Sequence, residues 1–265
     1  MTILSREHLI DFNQLKKVGK HLNEKYGSAS PFPHRVIDDI FADKVLDEIV
    51  AEFDGQAGKW HEFESKYEKK LQESADEKLG PVTRRFIHEL NSAPFINFLH
   101  DLTGIEGLIP DPYLIGGGLH KIEQGGKLGV HVDFNQHSKM KVYRRINVIL
   151  YLNKGWKEEY GGHLELWDKA EFQCIKKITP LFNRLAIFNT TSTSYHGHPV
   201  PLNCPQECCR RSLALYYYTV APESEGQRKP HSTIFLDKHG REDELKGSTF
   251  SQRLVKRLKS YINRI

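Results

Sequence analysis

Cysteine is scarce in this chain: four among 265 residues, Cys174, Cys204, Cys208 and Cys209. Thiols so few and so placed are expected to be reduced, as in a cytosolic protein. Adjacent Cys208 and Cys209 make poor co-ligands for structural zinc, which takes paired or histidine-completed sets. No run of eighteen apolar residues occurs, so no membrane span is expected. The opening MTILSREHLIDF is charged and amphipathic and lacks the apolar stretch and cleavage site of a signal peptide, so a cytoplasmic location is expected. There is no internal repeat and no low-complexity tract. The glycine run at 116–118 is followed by neither a helix nor a Lys-Ser/Thr pair, which excludes a phosphate loop.

What is present is an ordinary globular composition, 38% apolar and 27% charged, at a length that fits one large domain with helical additions. The net charge of +4 is unevenly placed, because residues 238–265 carry eight Lys/Arg against three Asp/Glu. That tail also reads as a helix, with Leu254, Val255, Leu258, Tyr261, Ile262 and Ile265 on one stripe. Its basic face is read as solvated, and nucleic acid is not an expected partner. Residues 5–26 read as a helix that SASPFPHR ends, and VIDDIFADKVLDEIVAEF as a short strand followed by a helix. The charged WHEFESKYEKKLQESADEKLG reads as an exposed helix or a mobile flap, and RRFIHELNSAPFINFLHDLTG as two helices parted near Pro94. After Pro110 the chain turns into short apolar or alternating runs separated by Gly, Pro, Asn and Asp, the pattern of a sandwich or barrel. The expected organisation is a helical extension at 1–30, a domain at 31–222 whose β core is 111–222, and a basic tail with a helix at 223–265. Tyr216, Tyr217 and Tyr218 are expected to alternate between core and surface, and Trp156 and Trp167 to pack the barrel's loops.

The chemistry centres on His131-x-Asp133 in KLGVHVDFNQH. In an extended strand alternate side chains share a face, so both can reach one ion. A third ligand must come from another strand, and SYHGHP offers His196 or His198. Two imidazoles and one carboxylate with open positions are the ligand set of a non-haem Fe(II) oxygenase. A co-substrate anion is implied by ECCRRSLALYYYTV, where an arginine starts an otherwise apolar strand. A buried guanidinium needs an anionic partner, and Arg suits a carboxylate in particular. Arg210 and Arg211 point to opposite faces, so one of them faces the pocket. If it is Arg210, Ser212 accompanies it; if Arg211, Leu213 and Leu215 do. Arg210 is favoured.

The ordered run HVD, RRINVILYLNKGW, GGHLELWD, SYHGHP, RRSLALYYY, with the entry PFPHRVIDDIFADKVLDEIVAEF, resembles the prolyl-4-hydroxylase-like branch of the Fe(II)/2-oxoglutarate dioxygenases over about residues 31–222. The resemblance implies a double-stranded β-helix, or jelly roll, with flanking helices. It implies that His131, Asp133 and His196 hold iron, with His198 before Pro199 left as a turn residue. It further implies that Arg210 binds the distal carboxylate of 2-oxoglutarate, that the Tyr151 hydroxyl supports that carboxylate, and that Leu164 packs near the co-substrate. O2 is then the second co-substrate and ascorbate a supporting reductant. Two features depart from the family. The His196-to-Arg210 interval is lengthened by PVPLNCPQEC, and the tyrosine usual upstream of HxD is missing, leaving His120 or Lys121 there.

The implied activity is hydroxylation of an unactivated C–H of a small molecule or an amino-acid or peptidyl substrate, with release of succinate and CO2. Asp133 favours hydroxylation, since related halogenases lack that carboxylate. The alternatives are a non-catalytic jelly-roll binding module and an oxidative nucleic-acid demethylase. Loops at 55–80, 135–143 and 223–250 are expected to select the substrate, and Lys139, Lys141, Arg144 and Arg145 are read as solvated charge.

Overall fold

The computed structural model describes residues 7–55, 60–221 and 229–244, so the expected C-terminal helix lies outside the described residues. Helix α1 (Phe12–Tyr26) starts later than the sequence pattern suggests, because the Asp11 side chain caps it by accepting from the Gln14 amide. Strand β1 (His34–Asp38) and α2 (Asp43–Asp54) follow. The charged stretch after them is neither helix nor flap. It forms a hairpin of β2 (His61–Glu64) and β3 (Glu68–Glu73), and β3 wedges into the main sheet. Helices α3 (Pro81–Leu90) and α4 (Ala93–Thr103) part at Asn91–Ser92, with Pro94 in the first turn of α4, where its missing N–H costs nothing.

From there the chain is β: β4 (Ile109–Pro110), β5 (Gly118–Glu123), β6 (Lys127–Val132), β7 (Tyr143–Tyr151), β8 (Leu164–Asp168), β9 (Gln173–Ile178) and β10 (Arg184–Asn189). Next come β11 (Tyr195–His198), β12 (Cys209–Thr219), β13 (Ile234–Leu236) and β14 (Glu242–Glu244). The strands pair antiparallel in the order β1-β10-β7-β12-β5-β3-β6-β11-β8-β9, a jelly roll that draws in strands from outside residues 111–222. β13 adds to β6, and β14 to β13.

Strand parity positions the site. On β7, Ile146, Val148 and Leu150 face one way, and on β12 Leu213, Leu215 and Tyr217 do the same. These join Leu46, Ile49, Phe86, Phe95 and Leu99 of the helices in one buried core. Truncating any of these leucines to alanine removes about 2–5 kcal/mol. The opposite parity, Asn147 and Ile149 of β7 with Arg210, Ser212, Ala214 and Tyr216 of β12, lines a cavity inside the roll. Because β12 is covered on both faces, Tyr216, Tyr217 and Tyr218 are all buried, and none is a surface residue. The two tryptophans do pack loops, Trp156 against Tyr160 and Trp167 against Phe172.

Candidate active site

His131 on β6 and His196 on β11 are direct cross-strand partners. The approach is close because a side chain at Gly197 would run into the Gly129 carbonyl at 2.6 Å. Each imidazole is aimed by its own strand: His131 Nδ1 lies 2.9 Å from the Gly129 carbonyl and His196 Nδ1 2.9 Å from the Ser194 carbonyl. A carbonyl only accepts, so each Nδ1 carries a proton and each Nε2 is the nitrogen turned toward Asp133. Both Nε2 atoms sit 3.5 Å from a carboxylate oxygen of Asp133. The three residues form the one cluster among the described residues with metal-binding geometry, their donor atoms within 4.8 Å of one another. No cysteine joins such a cluster, and Cys174 lies on β9, apart from the Cys204–Cys209 segment.

The surroundings hold these donors in the metal-ready state. Burial tends to raise the Asp133 pKa, but Arg144, His196 and His131 outweigh it and keep the carboxylate well below the usual range. Burial, with His131 alongside, pushes His196 down to about 4, so its ring is neutral at pH 7. Asp133 Oδ2 accepts from Asn147 Nδ2 at 2.8 Å and pairs with Arg144 Nη2 at 3.0 Å. Neither supporter was nominated from sequence, and Arg144 is not solvated charge: it is 1% exposed and stacked on the Tyr216 ring. Two imidazole nitrogens, one ionised oxygen and free space between them suit Fe(II). The residues present therefore fit the metal.

The remaining nominees divide by strand parity. Arg210 is 5% exposed and lines the cavity, whereas Arg211 points outward and pairs with Asp54. Arg210 Nε donates to the Gly162 carbonyl at 2.8 Å and Nη2 to the Tyr151 hydroxyl at 3.3 Å. Burial lowers its pKa and only Tyr151 offsets that, as expected of a guanidinium without a carboxylate. Ser212 and Leu164 line the same cavity. His120 lines it too, while Lys121 faces away and pairs with Glu123. Lys70, delivered by the unexpected hairpin, also reaches the wall. His198 is not a turn residue: it is a buried residue of β11 and part of that wall.

A jelly roll with a two-histidine, one-carboxylate centre, beside a buried arginine that has no acid partner among the described residues, is the arrangement expected of 2-oxoglutarate-dependent oxygenases. Residues 117–218 match the family model of the 2OG-Fe(II) oxygenase superfamily, whose members use Fe(II) and 2-oxoglutarate. Among curated proteins the chain is similar to the mouse prolyl 3-hydroxylase OGFOD1, 28% identical over 213 residues covering 75% of this chain. The chain spans 37% of the length of that relative. The fold is shared with a Pseudomonas putida prolyl-4-hydroxylase, at TM-score 0.55 and 13% identity, covering 77% of this chain and 100% of that one. It is shared equally with a Trichoplax adhaerens prolyl hydroxylase solved with a hypoxia-inducible-factor peptide fragment, at TM-score 0.55 and 17% identity, covering 82% and 96%. No helix among the described residues is long and apolar enough to cross a membrane.

Proposed function

We propose that this chain is an Fe(II)- and 2-oxoglutarate-dependent hydroxylase acting on an unactivated C–H of an amino-acid or peptidyl residue, or of a small molecule, with release of succinate and CO2. The observation that carries it is the placement of His131, Asp133 and His196 in one cavity with an arginine that has no acid partner among the described residues. A metal centre alone would serve a structural site as well; the unpaired guanidinium is what calls for a carboxylate co-substrate.

Iron bound by the triad would supply activation of dioxygen when 2-oxoglutarate is present. The protein's own contribution is geometric. The Gly129 and Ser194 carbonyls fix both imidazole tautomers, and Asn147 and Arg144 fix Asp133 Oδ2. Arg210 and the Tyr151 hydroxyl would receive the distal carboxylate, with Ser212 beside them and Leu164 as the apolar wall. The triad carboxylate supports hydroxylation as the outcome. A peptidyl substrate is supported over a small molecule by the relatives, one a prolyl 3-hydroxylase and one bound to a peptide fragment.

The test is succinate formation by purified protein with Fe(II), ascorbate and 2-oxoglutarate, across a panel of proline-containing peptides. Turnover is expected, and His131→Ala should reduce it to background. Wild-type protein that neither binds 2-oxoglutarate nor turns it over would leave a jelly-roll binding module instead.

A further inference from the structure

Strand β11 carries a second histidine beyond the metal set, and no role described so far uses it. His198 is 4% exposed, and both of its ring nitrogens are buried without a hydrogen-bond partner among the described residues. It lines the same cavity as His196, across a register irregularity in the pairing of β11 with β6. It lines the same cavity as Arg210, Lys70 and Ser212. An imidazole carries at least one N–H in every protonation state. A buried donor of this kind without an acceptor is rare in a folded protein, which points to an acceptor arriving with a ligand.

The wall around His198 indicates which ligand. The charges that bear on it most are Arg210 and then Lys70, both cations. The nearby metal-set carboxylate is already committed, with Asp133 Oδ2 held by Asn147 and Arg144 and Oδ1 turned to His131. An anion entering beside Arg210 is the acceptor that satisfies both groups. Depth agrees: two residues of extended strand separate His198 from His196 by about 6–7 Å. That is comparable to the span of a five-carbon diacid between a metal-chelating end and its far carboxylate.

We infer that His198 donates a hydrogen bond to the distal carboxylate of 2-oxoglutarate, completing with Arg210 and Tyr151 a three-sided carboxylate cradle; this rests on the co-substrate reading proposed above. His198 thereby selects for a diacid over a monocarboxylic 2-oxo acid, a specificity role separate from metal binding.

The experiment is calorimetric titration of the full chain loaded with Zn(II), using 2-oxoglutarate and 2-oxopentanoate, in which a methyl replaces the distal carboxylate. His198→Val should weaken 2-oxoglutarate about 10- to 100-fold, as loss of a hydrogen bond to a charged group does. Its effect on 2-oxopentanoate should stay within about twofold, and His198→Gln, which keeps an N–H, should recover part of the loss. Equal weakening of both acids would show His198 to be mere packing, and unchanged 2-oxoglutarate affinity would equally overturn the inference. Wild-type protein that holds zinc but binds neither acid would remove the co-substrate reading itself. Should His198→Val fold poorly, His198→Met, closer in size, carries the same comparison.

Discussion

Two arginines are buried in this one barrel, and they live in opposite circumstances. Arg144 on β7 pairs with Asp133 and donates through Nε and Nη2 to Asn147 Oδ1 at 2.9 and 2.7 Å. The Tyr216 and Phe134 rings flank its guanidinium at 3.3 and 4.7 Å. Burial alone would lower its pKa, yet Asp133 and Tyr216 raise it on balance. Arg210 on β12 has a carbonyl, a tyrosine hydroxyl and, among the described residues, no acid, and burial wins. The first cation is part of the frame that holds the metal ligands. The second, on the function proposed above, would receive the negative charge of a ligand, and burial without an acid partner among the described residues is what supports that reading.

The sharpest way to break that contrast is to remove each charge in metal-free protein. Arg144→Met strands Asp133 without its main counter-charge, and should destabilise the chelator-treated protein by about 3–5 kcal/mol in urea unfolding. Zinc should restore much of the loss, since the ion supplies the positive charge that the guanidinium did. Arg210→Met should leave the urea midpoint unchanged or raised, because it deletes an unpaired buried charge. Its cost falls on the ligand instead: 2-oxoglutarate affinity should drop about 100-fold or more, roughly 3 kcal/mol, by calorimetry. If both variants lose stability alike, the two arginines are the same kind of residue and the distinction fails.

The same contrast explains what the sequence discloses and what it conceals. His131 and Asp133 are legible because strand parity is local, and His196 because it falls on a strand of the same family pattern. Arg210 is legible in part: two arginines open an apolar strand, parity turns one of them inward, and the family pattern favours Arg210. Arg144 is opaque, since it stands in KMKVYRR among charges that read as solvated. Only the tertiary approach of β7 to Asp133 reveals that it is buried. The β2–β3 hairpin is opaque for a related reason. HEFE and EKKLQE carry little apolar alternation, and what makes β3 a strand is its pairing with β5 and β6, some fifty residues further along. Lys70 and its place in the cavity wall were hidden with it.

A smaller effect separates the metal end of the cavity by pH. A histidine with an ordinary pKa near 6.5 when unfolded, held near 4 when folded, binds fewer protons in the native state between those values. Stability from this source is therefore complete above pH 6.5 and falls as pH drops toward 4. Asp133, whose folded pKa is lowered, keeps its contribution throughout that window and loses it only at lower pH. Chelator-treated wild type should lose about 2 kcal/mol more than His196→Gln between pH 7.5 and 5.0, read from urea midpoints. Equal losses would mean that burial at this end does not hold the ring neutral.

The finest probe lies at the other end, in the one hydroxyl that Arg210 touches. Tyr151 is fully buried, and burial raises its pKa against the pull of Arg210, so it stays a neutral phenol. Its oxygen accepts from Arg210 Nη2, which leaves its own proton free to be donated elsewhere. In the ligand-free protein Tyr151→Phe removes only a neutral acceptor from a cation that already lacks an acid, so stability should change by less than about 1 kcal/mol. With 2-oxoglutarate bound, the same change deletes a donor to the carboxylate, and affinity should fall about 3- to 10-fold by calorimetry. In the Arg210→Met background that loss should shrink, because the tyrosine and the arginine act on one carboxylate and their contributions are coupled. Strictly additive losses would place Tyr151 outside the cradle and leave Arg210 to bind the carboxylate without it.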